Sequence, residues 1–235
     1  MTIKEAMKPY YTEPGIEIRL GDCRSILPGL GKVDLVCTDP PYGIGMAARG
    51  RIGTSKCAQV TDYGKSNWDD FPPSPETISQ IISAGEHSIV WGGNFFGLPA
   101  SSCWLVWDKD NTGDFADCEL AWTNLDMAVR MFKWRWNGML QENMGAKEKR
   151  EHPTQKPLAL MRWCLGWVPD AQTILDPFMG SGTTLVAAKL LGRRAIGIEL
   201  EERYCEIAVR RLAQGVLPLR ISEAPRIVEA ELPLP

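Results

Sequence analysis

Thr173-Ile174-Leu175-Asp176-Pro177-Phe178-Met179-Gly180-Ser181-Gly182-Thr183-Thr184 runs from a short apolar stretch through two closely spaced glycines into a helix-forming segment that stops at Gly192. A second apolar run, Ala195–Glu199, follows and ends on an acid. Strand, glycine turn, helix and strand in that order make one parallel β-α-β unit. The glycines let the backbone turn sharply and come close to a ligand, and the free N–H groups at the helix start point at the same place. Glu199 lies 17 residues beyond Gly182, at the end of the next strand. A carboxylate there can accept hydrogen bonds from both hydroxyls of a ribose, so the layout suits an adenosine-containing ligand. The third glycine of the dinucleotide fingerprint is missing, as is the Gly-Lys-Ser/Thr of a phosphate loop, which disfavours NAD and ATP.

Outward from this unit, further strands are predicted at Ile16–Leu20, Val33–Thr38, Ser88–Trp91 and Ser102–Trp107, with an edge hairpin formed by Glu119–Asn124 and Met127–Phe132. Helical spacing appears between Pro75 and Glu86, over Leu158–Trp167 behind Pro157, and over Glu201–Ala213. Strands rich in Val, Ile and Leu that alternate with helices define an α/β class with a doubly wound, mainly parallel sheet. Residues 43–74 hold five glycines and no sustained apolar period, and read as a long surface loop over the site. The stretch 133–153 is similar, and 216–235, with four prolines, reads as an extended tail.

The 235 residues fit a single domain, with 44% hydrophobic and 23% charged residues, near the soluble average. The first 15 residues have no apolar signal core and no run approaches the length of a membrane span, so a cytoplasmic protein without a membrane partner is expected. Seven scattered cysteines without a Cys-x-x-Cys pair, and two histidines, argue against a disulfide framework or a bound metal. The net charge of −3 gives no global attraction to polyanions, so any basic surface must be local. Lys133, Arg135, Lys147, Lys149, Arg150 and Lys156 form one such group; Arg49, Arg51, Lys56 and Lys65 form another.

Asp39-Pro40-Pro41-Tyr42 ends the Val33–Thr38 strand. Two prolines remove N–H donors and lock φ, so the carbonyls around them are held in fixed directions as a rigid acceptor surface. The exocyclic amino group of a nucleobase is a poor nucleophile because its lone pair is delocalised into the ring. Acceptors from the Asp39 carboxylate and the Pro40 carbonyl can take both N–H bonds, favour a pyramidal nitrogen and stabilise the positive charge that develops during attack. Tyr42 offers a face on which an unstacked base can lie.

Asp-Pro-Pro-Tyr-Gly at 39–43, His-Pro-Thr-Gln-Lys-Pro at 152–157 and Asp-Pro-Phe-Met-Gly-Ser-Gly-Thr-Thr at 176–184 resemble the motifs of S-adenosylmethionine-dependent DNA amino-methyltransferases. Catalytic motif first and cofactor motif last resembles the β-ordered group, and the likeness runs from about Ile16 to Leu212. It implies a Rossmann-like seven-stranded sheet with circularly permuted motif order, S-adenosyl-L-methionine as cofactor and double-stranded DNA as partner. By the same likeness, Asp39, Pro40, Pro41 and Tyr42 are the expected catalytic residues. Asp22, Asp176, Phe178, Gly180, Gly182, Thr183 and Glu199 are expected to bind the cofactor, with Gly21-Asp22-Cys23 at its adenine and Lys156 near its carboxylate. An aspartate at the first motif position resembles adenine-N6 enzymes more than the Ser-Pro-Pro-Tyr form common in cytosine-N4 enzymes.

Only about 20 residues, Lys133–Pro153, stand where family members with defined sequence specificity carry a larger recognition region. Reading of DNA is therefore short, relaxed, or shared with the 43–74 loop or with a second subunit of a homodimer. Trp134 and Trp136 among Lys133 and Arg135 suit stacking and phosphate contact, and equally suit one apolar side of an edge strand. Asp108-Lys109 reads as an ion pair at a strand end. Two other functions fit the same motifs: a DNA-binding or anti-restriction protein without turnover, and methylation of RNA or of a protein glutamine.

Overall fold

The computed structural model describes residues 8–43, 51–52, 61–62, 72–111, 116–137, 140–152 and 154–214. Most of the 43–74 loop, with Arg49 and Arg51's side chain, and the 216–235 tail lie outside the described residues.

Thirteen strands occur among them: β1 Tyr11–Glu13, β2 Ile16–Leu20, β3 Val33–Thr38, β4 Arg51–Ile52, β5 Thr61–Asp62, β6 Gly85–Trp91, β7 Trp104–Asp108, β8 Cys118–Thr123, β9 Arg130–Lys133, β10 Trp136–Asn137, β11 Leu140–Gln141, β12 Thr173–Asp176 and β13 Arg194–Glu199. Nine form one sheet, in the order β1-β2-β13-β12-β3-β6-β8-β7-β9. The run β2-β13-β12-β3-β6 is parallel, whereas β8 is antiparallel to both β6 and β7. This is the expected α/β doubly wound sheet, widened from seven strands to nine.

The predicted edge hairpin is not formed. β8 lies inside the sheet between β6 and β7, and β9 pairs in parallel with β7, not with β8. Ala121, Trp122 and Thr123 are buried on β8, so the strand carries a two-sided core position that an edge does not need. The alternation that signalled two strands contained no information about which neighbour each would take.

β3 shows why the sheet is wound on both faces. Leu35 and Cys37 enter the larger core, while Val33 and Val36 point into a second one with Ile78 and Ile81 of the helix Pro75–Ser83. The larger core is closed by the helices Leu158–Gly166, Thr183–Leu190 and Glu202–Ala213. Ser74 starts Pro75–Ser83 by accepting the Thr77 N–H at 3.3 Å, with Pro75 behind it at the first turn. Leu158–Gly166 follows Pro157, which has no capping oxygen; instead the Glu148 carboxylate accepts the Leu158 N–H at 3.1 Å.

β3 and β12 are adjacent and parallel, with Ile174 opposite Leu35 and Leu175 opposite Val36. From β12 the chain winds one way to β13, and from β3 it winds the other way to β6. Between them lies the topological switch, where the carboxyl ends of the strands open a crevice for a ligand. Asp39 follows β3 and Asp176 ends β12, so the two motifs stand side by side at that crevice.

Candidate active site

The crevice encloses a cavity of about 460 Å³. Its wall includes Asp22, Asp39, Pro41, Phe178, Gly180, Thr183 and Glu199, drawn from both motifs and from the β2 end. The Gly21 N–H donates to the Glu199 carbonyl at 2.8 Å, tying the end of β2 to the end of β13. Asp22 caps the short helix Cys23–Ile26 and its carboxylate is paired with the Arg24 guanidinium, which holds its acidity below the usual carboxylate range.

The glycine turn is braced from three directions. Gly180 and Gly182 have φ of +51° and +76°, backbone that side-chain-bearing residues adopt at a cost. A Cβ on Gly182 would stand 2.7 Å from Cβ of Ala208, so the turn sits directly on the helix Glu202–Ala213. From that helix the Arg211 guanidinium donates to the Ser181 carbonyl at 2.7 Å and to the Thr183 hydroxyl at 2.9 Å. Asp176 accepts the Thr38 and Thr184 hydroxyls at 2.8 and 2.6 Å and the Phe178 N–H at 3.1 Å. It therefore holds the turn against β3 at the wall of the cavity. Burial raises its carboxyl to about 6.

Glu199 differs. Its two oxygens accept the Gly180 N–H at 3.0 Å and the Glu201 N–H at 2.8 Å, one each, which aims the carboxylate and leaves lone pairs for further donors. Burial pushes this carboxyl up to about 7. A buried acceptor with spare capacity, beside a turn with no side chain at Gly180, fits the two hydroxyls of a ribose.

At the other end of the cavity, Tyr42 donates its hydroxyl to Asp39 at 2.6 Å, and Lys156 donates to the other carboxylate oxygen at 2.5 Å. Lys156 also pairs with Glu119 at 3.1 Å, and Glu119 pairs with Lys109. Burial raises the Asp39 carboxyl; Lys156 opposes this and Glu119 adds to it. Burial would also raise Glu119, but the two ammonium groups outweigh it and hold that carboxyl down to about 2. Tyr42, pushed well up by burial and by the charge of Asp39, remains a protonated donor. Its ring stacks on half-exposed Phe95 at 4.9 Å, and Gly92 lies so close that a Cβ there would stand 2.0 Å from Tyr42 Cε1.

Lys156 was expected near the cofactor's carboxylate. It lines the same cavity, but its partners are those of the Asp39 end. The anticipated Asp108-Lys109 pair is replaced: Lys109 reaches across to Glu119, and Asp108 accepts the Asp110 N–H at 2.8 Å. His152, next to the turn, is buried with a pKa lowered to about 3 by burial and the nearby cations, so it is neutral.

The basic segment divides. Lys133 and Arg135 converge on Asp110, Lys149 pairs with Glu151, and Lys147 is exposed. Trp136 is 8% exposed and belongs to the main core, with Arg150 4.8 Å over its ring; Trp134 stacks on Phe132. The two tryptophans are thus the apolar side of an edge segment, one of the two readings that the sequence left open. Sequence reading missed Glu119, Gly92, Phe95 and Arg211. Glu119 sits in an ordinary strand pattern, and nothing local distinguishes a strand acid that faces Lys156 from one that faces water. Gly92 does carry a signal, in the Gly-Gly that ends β6.

Comparison with known proteins follows the same lines. A family model described as DNA methylase, of the N6/N4 methyltransferase type, matches residues 99–210. The type II methyltransferase M2.DpnII of Streptococcus pneumoniae is 29% identical over 87% of this chain and 92% of its own length, and M2.LlaDCHI of Lactococcus lactis subsp. cremoris is 26% identical over 88% and 93%. The solved complex of M1.HpyAVI with SAM is 25% identical, with a TM-score of 0.51, over 84% of this chain and all of that one. The cytosine-N4-specific PvuII DNA methyltransferase, at 15% identity and a TM-score of 0.50, shares the fold over 88% of this chain and 95% of its own. In its domain match, its relatives and its crevice alike, the chain is similar to S-adenosylmethionine-dependent DNA methyltransferases of the N6-adenine/N4-cytosine type.

Proposed function

We propose that this protein methylates the N6 amino group of an adenine flipped out of duplex DNA, with Asp39, Pro40, Pro41 and Tyr42 as the catalytic residues. The observation that carries the reading is the shared cavity: Asp39 and Glu199 line one space, 160 positions apart in the chain and joined only by the fold. S-adenosylmethionine supplies an electrophilic methyl group when bound. Glu199 accepts the ribose hydroxyls, and Gly180, Gly182 and Phe178 shape the rest of the cradle. Gly21, Asp22 and Cys23 face the adenine end, and Asp176 and Thr183 hold the turn.

Asp39 and the Pro40 carbonyl accept the two N–H bonds of the target amino group, which frees its lone pair for in-line attack. Positive charge grows on that nitrogen as its bond to the methyl carbon forms and the methyl–sulfur bond breaks, leaving a neutral thioether; the Asp39 carboxylate stabilises the charge until one N–H proton is lost to solvent. Tyr42 fixes one oxygen of Asp39 and presents a ring to the base. No covalent enzyme intermediate is required. The aspartate at the first motif position supports adenine over cytosine.

The whole chain is one methyltransferase domain in this reading. Residues 133–153, with Lys147, Lys149 and Arg150, touch the DNA backbone, and Arg49 and Arg51 are further candidate DNA contacts. Lys133 and Arg135 contribute through the Asp110 anchor at the end of β7. Transfer of tritiated methyl from the cofactor to unmodified duplex DNA, RNA or peptide tests the substrate class. Label in duplex DNA, absent with Asp39→Ala, is expected; binding of DNA with no label in any substrate would make the protein a non-catalytic DNA binder.

A further inference from the structure

Four charges from four separate parts of the chain are joined by successive ion pairs at the Asp39 end of the cavity. Lys109 follows β7, Glu119 lies in β8, Lys156 lies in the loop before the helix Leu158–Gly166, and Asp39 follows β3. Their signs alternate and their sum is zero. Lys156 is 7% exposed, so its ammonium group persists there only because the fold supplies counter-charge. An ammonium has three N–H donors. Asp39 Oδ2 takes one at 2.5 Å, Glu119 Oε2 lies at 3.1 Å and the Tyr42 hydroxyl at 3.4 Å. Its hydrogen bonds run to Asp39 and Tyr42 and its two ion-pair partners are Asp39 and Glu119, so the lysine is engaged at the Asp39 end of the cavity.

The groups that face Asp39 act with different signs. Tyr42, from the same turn, and Lys156 favour its ionised form; Glu119, across the sheet, disfavours it. Asp176, at the end of β12, couples to it with like charge, and Cys37 on β3 lies beneath. Lys109 acts through Glu119.

We infer that Lys156 and Glu119 are positioning residues that set the charge and acceptor strength of Asp39 in opposite directions. This rests on the reading of Asp39 as the acceptor for the target amino group. Lys156 keeps Asp39 a carboxylate at a half-buried position. Glu119 shares the lysine, so that its grip leaves Asp39 with capacity to bind the base. Lys109 in turn keeps Glu119 ionised.

The test is the pH profile of single-turnover methyl transfer to duplex DNA, measured with cofactor affinity for each variant. In Lys156→Met the rate near neutrality falls by about 10²-fold and the acid limb moves to higher pH, because an uncompensated buried carboxylate takes up a proton. In Glu119→Gln the acid limb moves the opposite way, to lower pH. Both variants keep cofactor affinity. Should Lys156→Met fail to fold, the acid shift of Glu119→Gln tests the inference alone. Asp39→Asn is inactive at every pH if the underlying reading is right, and normal transfer by it would overturn that reading. With Asp39→Asn inactive, an unmoved acid limb in the variants overturns the inference, as does loss of cofactor affinity in Lys156→Met, which would assign the lysine to the cofactor.

Discussion

The Thr38 hydroxyl donates to Asp176 at 2.8 Å, joining the last residue of β3 to the last residue of β12 across 138 positions of sequence. Both groups are fully buried, and Asp176 also holds the glycine turn through the Phe178 N–H and Thr184 hydroxyl. One hydrogen bond thus fixes the distance between the two motifs. Thr38→Val keeps the shape and removes the donor, leaving an under-satisfied buried carboxyl. It should cost about 1–3 kcal/mol of stability, read as a lower denaturant midpoint at unchanged slope.

Glu199 predicts a pH dependence of cofactor binding. Its carboxyl is raised to about 7 by burial, and ribose hydroxyls bind the ionised form better. Binding therefore expels a proton, and affinity strengthens as pH rises through about 7, then levels off. Titration calorimetry in buffers of different ionisation enthalpy reads the released proton directly. Glu199→Gln should weaken binding and abolish the dependence.

Gly92 meets Tyr42 too closely for any side chain. A Cβ would stand 2.0 Å from Cε1 and 2.6 Å from Cζ, at a φ of +68° that already disfavours alanine. Gly92→Ala must displace the ring and with it the 2.6 Å hydrogen bond to Asp39. Transfer should fall by about 10²-fold with cofactor affinity retained, a split seen by comparing single-turnover rate with equilibrium binding.

Gly182→Ala acts on the opposite end. Its Cβ would lie 2.7 Å from Cβ of Ala208, at a φ of +76°. Stability should fall by about 1–3 kcal/mol and cofactor affinity should drop, because the turn has to lift from the helix beneath it. Adding Ala208→Gly removes the collision but not the φ strain, so the double variant should recover part of the loss and not all of it.

Much of the arrangement was legible locally. Strand, glycines, helix and terminal acid are successive along the chain, so the cradle around Gly180 and Glu199 could be read from one stretch of 27 residues, Thr173–Glu199. Asp39 to Tyr42 announced itself through two prolines beside an aromatic. Pairing was harder. β8 and β9 each look like strands, but whether they adjoin is decided by β7 inserting between them, a long-range choice with no local mark. Lys156 shows the same limit for side chains: its neighbourhood suggested the cofactor, while the partners that engage it, Asp39 and Glu119, lie 117 and 37 positions away. Trp136 among basic residues suited a contact surface and an apolar strand side equally, and burial against the core favours the second.

That an amino group held at Asp39 attacks the cofactor's methyl carbon is checked by mass spectrometry of nucleosides from duplex DNA incubated with the protein and S-adenosylmethionine. N6-methyladenine is expected from the unaltered protein and none from Asp39→Ala. N4-methylcytosine would contradict the choice of base while keeping the chemistry, and 5-methylcytosine, or N6-methyladenine still formed by Asp39→Ala, would contradict the mechanism.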